Sequence, residues 1–132
     1  MSGKVAIAGL GGIYLLVLRL SVSFLMLNHG WPKLTKLFSG DPVQFGDPIG
    51  IGPVATLVLA VFAEVVCSLL IIIGFKTRLA VIPLIITMLV AVFIVHLNDS
   101  LTDKEAAILY LVSYGTLYVF GPGKFAADNK WK

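Results

Sequence analysis

From Val54 to Phe75 the chain reads VATLVLAVFAEVVCSLLIIIGF, with Glu64 as its one charged side chain. A helix needs about 20 mostly apolar residues to cross the hydrocarbon core of a bilayer. This stretch meets that length, and three others reach or approach it, at about 11–30, 79–97 and 106–121. Composition agrees: 58% of residues are hydrophobic and 13% charged, against about 25% charged in soluble domains. Period-two alternation is absent, which argues against a transmembrane barrel. The expected fold is all-α: a polytopic membrane protein, an antiparallel four-helix transmembrane bundle forming one domain over residues 1–132. The lipid bilayer is its first partner.

Punctuation between the spans fits this reading. Pro32 predicts that the first span kinks or ends near Gly30. Residues 39–53, rich in proline and glycine, form the longest linker and fold over one mouth of the bundle. GFKTR is a tight turn between the second and third spans, and Pro83 sits near enough to the start of the third to be tolerated. Thr102 with Glu105 three residues later has the form of a capping box opening the fourth span. FGPGK then stops it.

Lys4, Lys76, Arg78, Lys124, Lys130 and Lys132 fall on one side of such a bundle. Lys33, Lys36 and Lys104 fall on the other, with Asp41, Asp47, Asp99 and Asp103. Basic loops stay inside, so both termini are expected in the cytoplasm and the long linker outside. Lys4 and the apolar run after it resemble a signal peptide. The run continues past Arg19 to Leu27 without a small-residue cleavage site, which favours an uncleaved first helix. The net charge of +3 is spread between apolar runs, so there is no clustered basic face for nucleic acid. Cys67, alone in an apolar run, reads as a small packed hydrophobe.

A charge at mid-bilayer costs about 2.5–3.5 kcal/mol on insertion scales. Arg19 and Glu64 each fall near the middle of their spans, which predicts an Arg19–Glu64 pair between the first two helices. At about 100° per residue, Arg19, Met26, His29 and Lys33 share one face of the first helix, with Ser23 at its edge. By the same topology His96 and Glu105 reach the outer end. The candidate ligand-binding set is therefore Arg19, His29, Lys33, Glu64, His96 and Glu105, a polar shaft opening outward; no catalytic residue is assigned.

Three readings compete for this shaft: interfacial residues reaching water, a site for a quinone or similar apolar ring, and a metal site. The metal reading lacks ligand spacing and ranks last. Tyr110, Tyr114 and Tyr118 repeat every four residues, a stripe that more often packs than binds.

Several segments resemble the DoxX family of small bacterial membrane proteins over nearly the whole chain. They are the arginine followed by HGWPK, then AEVVCSLLIIIGFKTRLA, MLVAVFIVH, and EAAILYL leading to FGPGKFAAD. The resemblance implies a four-helix inner-membrane protein. It also implies association with redox chemistry, since the family takes its name from a subunit of a thiosulfate:quinone oxidoreductase. Other members have been tied to redox partners and oxidative stress, which implies a quinone and membrane or periplasmic redox proteins as partners here. Wider relatives of the same shape bind sterol-like ligands, which supports the alternative of a non-catalytic scaffold or lipid-binding bundle. The chain departs from the common family ending, which has a serine where Ala126 and Ala127 precede Asp128.

Overall fold

The computed structural model describes residues 3–40, 42 and 45–130. Asp41 and Lys132, two of the charges used above for topology, lie outside them. Four long helices run antiparallel: α1 (Gly3–Leu37), α2 (Pro53–Ile73), α3 (Thr77–Val95) and α4 (Leu101–Phe120), followed by a short α5 (Ala127–Lys130). Each packs on the next and α4 closes on α1, so the start of α1 and the segment after α4 share one end of the bundle, where Lys124 lies against Gly12. α1, α2 and α3 are long and apolar enough to cross a membrane. α4 has comparable length, with its charged residues Asp103, Lys104 and Glu105 in the first turns.

The distribution of burial is that of a protein dissolved in lipid. Leu10, Phe24, Leu69, Leu79, Leu109 and Val112 are all exposed on the outer surface, whereas Arg19 and Glu64 are buried. In water that arrangement would be costly twice over; in a bilayer the exposed apolar belt is the solvated surface. The core between the helices is built from Met26, Ile71, Val81, Leu84, Tyr114 and Leu117, among others.

α1 does not end near Gly30. It continues through Pro32 to Leu37, where the Thr35 hydroxyl donates to the Pro32 carbonyl at 2.8 Å. Pro83 is accommodated likewise, its carbonyl accepting from the Thr87 hydroxyl at 2.7 Å. The cap of α4 also differs from expectation. Ser100, extended at φ −64° and ψ 159°, accepts from the Asp103 N–H, so the helix starts at Leu101 and Thr102 lies inside it. The five added residues, about one and a half turns, supply the length that the apolar run alone lacked. Asp47 carries the linker: its carboxylate accepts from Ile51 N–H (3.0 Å), Gly52 N–H (2.9 Å) and the Thr56 hydroxyl (3.0 Å). This ties the loop to the first turn of α2, which Pro53 opens.

At the end that carries the termini, one lock joins α1, α2 and the C-terminal segment. Arg19 donates to the carbonyls of Ile71 (3.0 Å), Ile72 (3.1 Å) and Phe125. Asp128 receives the N–H groups of Lys76 and Thr77 at the start of α3 and donates its own N–H to Gly74 O. Gly74 is left-handed at φ +73°, and an added Cβ would stand 2.4 Å from Ala126 Cβ and 2.6 Å from Arg19 Nη1. The GFKTR turn, the first-span arginine and the GPGKFAAD ending are thus one structure.

Two outcomes are expected. Gly74→Ala adds left-handed strain and a clash with the C-terminal segment, a loss of about 2 kcal/mol or more. It is measured as a lowered unfolding midpoint and faster C-terminal proteolysis. Burial pushes the Asp47 carboxyl up, but the hydrogen bonds from Gly52, Thr56, Ile51 and Gly50 outweigh it and hold the carboxyl below its ordinary value of 3.8. A lowered folded-state value stabilises the linker above pH 3.8 and is lost as pH falls through it. Amide exchange at Ile51 and Gly52 should therefore be flat from pH 7 to 5, once corrected for intrinsic rates, and rise only below 3.8. Asp47→Asn should remove the transition.

Candidate functional site

α1 and α2 approach most closely at Gly30. A Cβ there would lie 2.8 Å from Val65 Cγ2 and 3.0 Å from Glu64 Cβ, so only glycine lets the two backbones meet. One turn further along α1, Lys33 Nζ reaches both oxygens of Glu64, at 2.7 and 2.6 Å. Glu64 is 2% exposed and the Lys33 side chain 30%. Glu64 belongs to a π-helical stretch, Phe62–Cys67, which turns Ala63, Glu64 and Cys67 toward the interior. Such wide turns carry an extra residue and re-aim side chains, often at functional sites. A second wide turn, Ala91–Val95, ends α3 and delivers His96 to the same level.

The pair expected between Arg19 and Glu64 does not form; Lys33 is the partner of Glu64. The reason is register. With Gly30 opposite Glu64, Arg19 lies eleven residues back along α1, about 16 Å away, level with Ile71 and Ile72. Arg19 and Glu64 each sit near the middle of their own helix, but α1 (Gly3–Leu37) and α2 (Pro53–Ile73) do not pack with their middles level.

Two cavities meet at the ion pair. One, of about 360 Å³, lies between α2 and α3 beneath the linker, with Phe45, Pro48 and Ile49 as its roof. Its walls are apolar, including Leu59, Ile86 and Val90, and its polar end is Lys33, Glu64 and His96. The other, of about 240 Å³, lies among α1, α3 and α4; Met26, His29, Asp103 and Tyr110 join the same three polar residues there. The Phe45 ring sits 6.0 Å from Lys33 Nζ and 5.8 Å from Lys36 Nζ, which holds the roof over the pair.

The structure brings His29, Lys33, Glu64 and His96 together and leaves out Arg19 and Glu105. His29 meets Tyr110 edge to face at 5.8 Å, and Tyr110 stacks on Tyr114 at 6.1 Å. Tyr118, the third of the stripe, faces outward. His96 Nδ1 pairs with Asp99 at 2.7 Å, so Asp99 orients that ring; Glu105 is exposed and lines neither cavity. Phe45, Asp99 and Asp103 had no signal as site residues, although Asp99 follows His96 at a turn spacing. Among the described residues no group of three His, Cys, Asp or Glu side chains is placed to hold a metal ion.

A family model described as DoxX matches residues 14–97. These residues cover both partners of the ion pair, the linker and His96. An uncharacterized protein of Haemophilus influenzae is 29% identical over 128 residues, spanning 89% of this chain and 90% of that protein. No solved structure matches the chain.

Removing one member of a buried pair strands a charge, at about 3–5 kcal/mol, whereas removing both costs far less. Lys33→Met alone should therefore lower the unfolding midpoint in detergent strongly, and Lys33→Met with Glu64→Gln should recover most of the loss. A double-mutant cycle with near-zero coupling would contradict this role for the pair.

Proposed function

The chain belongs to the DoxX family, and on that premise we propose that this integral membrane protein is a redox-associated subunit binding a quinone or another flat apolar ligand. The observation that carries the reading is the placing of Lys33, Glu64 and His96 at the polar end of a cavity whose remaining lining is apolar apart from Thr56 and Thr87. An apolar slot with a few convergent polar groups is the usual form of a small-molecule site. Lys33 Nζ would donate to a ligand carbonyl, with Glu64 holding the ammonium in place. His29 and His96 would pass protons between the ligand and water, since each is a histidine at a cavity edge and His96 already has Asp99 to orient it. Electrons would come from a membrane or periplasmic redox protein. The excess of Lys and Arg at the end carrying the termini supports a bacterial inner-membrane location with that end in the cytoplasm.

A second reading is a scaffold or lipid-binding bundle whose charges only fix packing. The contact of Gly30 with Glu64 favours it, because glycine and ion pair together set the α1–α2 register. The two readings separate on titration of the purified chain with a short-tailed menaquinone or ubiquinone analogue. Saturable binding that weakens about tenfold or more in Glu64→Gln and in His29→Ala supports the quinone site. Absence of binding, or equal binding by both variants, supports the scaffold.

A further inference from the structure

A separate polar cavity of about 590 Å³ opens at the end of the bundle that carries the termini, between the start of α3 and the turn after α4. Lys76, Arg78 and Lys124 line it, with Asp128 as its one acidic lining residue. That carboxylate is already engaged: its oxygens take the N–H groups of Lys76 and Thr77, and its charge faces Arg19. The lining is left with an excess of positive charge. Arg78 donates to the carbonyls of Tyr118 (2.9 Å) and Val119 (3.3 Å) and so is fixed as part of the wall.

Two further observations point to a ligand there. Thr77, which also lines the cavity, is fully buried, and its hydroxyl has no hydrogen-bond partner. Buried hydroxyls are ordinarily paired, so this one has a donor to spare beside a cationic cavity. Lys76 is left-handed at φ +49°, a conformation that asparagine or glycine adopts with less strain. The chain nevertheless has a lysine at that position. The Lys124 stem lies against Gly12 of α1, where an added Cβ would meet Lys124 Cγ at 3.0 Å. Beside the cavity mouth Leu79 and Phe120 are exposed. A cationic pocket flanked by apolar side chains at the end of a membrane bundle suits an amphiphile with an anionic head.

We infer that this cavity binds the phosphate of an anionic phospholipid. Lys76, Arg78 and Lys124 supply the charge, Thr77 donates a hydrogen bond to a phosphate oxygen, and Leu79 and Phe120 meet the first methylenes of the acyl chains. The site is independent of the Lys33–Glu64 cavities and of any ligand there.

The test uses the full chain in neutral detergent, read by native mass spectrometry and thermal shift. The probes are phosphatidylglycerol, phosphatidylcholine and inorganic phosphate. The inference expects a saturable phosphatidylglycerol adduct that raises the unfolding midpoint, with phosphatidylcholine at least tenfold weaker and millimolar phosphate a poor competitor. Lys76→Asn with Lys124→Gln should weaken the adduct at least tenfold, each cation near an anionic headgroup contributing about fivefold. Thr77→Val removes a hydroxyl that no partner misses, so it should leave the lipid-free midpoint unchanged while weakening the adduct. Equal affinity for the two lipids, or an adduct unaffected by the lysine variants, overturns the inference. Binding of inorganic phosphate without lipid, at the affinity of phosphatidylglycerol, overturns the lipid assignment in favour of a free anion.

Discussion

The carbonyl oxygens of Ile71, Ile72 and Phe125 converge on the Arg19 guanidinium, and the placement of the other polar groups follows from that anchorage. Carbonyls in the last turn of a helix are under-supplied with backbone donors and carry partial negative charge; here, among the described residues, Ile71 O has only the Gly74 N–H besides Arg19. A guanidinium, with five donors in a fixed fork, satisfies several of them at once. It therefore ties α1 to the end of α2 and brings the C-terminal segment back over the turn. Asp128 completes the join from the other side by capping α3. Once Arg19 is fixed there, the antiparallel geometry leaves α1 no choice about what faces Glu64.

That dependence explains what the sequence could and could not disclose. Helix number and class were legible, because long apolar runs and proline-glycine breaks are one-dimensional signals. The candidate face of α1 was legible too, since His29 and Lys33 do share it and both reach the cavity. The partner of Glu64 was not. Pairing depends on how far one helix slides along another, and no residue count inside a single span gives that offset. The two wide turns were also hidden: a π insertion at Phe62–Cys67 has no proline or glycine to announce it. Glu105 entered the candidate set because topology places it at the outer end, but depth along the bundle does not fix which way a helix face turns. The residue is exposed and lines neither cavity.

The bundle thus carries its charge in two separated layers. The layer around Arg19 is spent on backbone carbonyls and on capping α3, and it links segments remote in sequence. The layer around Lys33 and Glu64 is a side-chain pair standing between two cavities, with histidines at its edges. The second opens on the two cavities described between the helices.

Between these layers α1 acts as a ruler. Arg19 and Lys33 are separated by fourteen residues, close to four turns, so both side chains project from nearly the same face at a spacing of about 21 Å. α2 holds their partners at Ile71 and Glu64, only about 10.5 Å apart along its axis, and the long Arg19 and Lys33 side chains span the difference. One residue inserted between Arg19 and Lys33 would advance the second anchor by about 1.5 Å and rotate it by about 100°. The two anchors would then no longer be in phase. The length of that segment is consequently as much a part of the site as the side chains it carries.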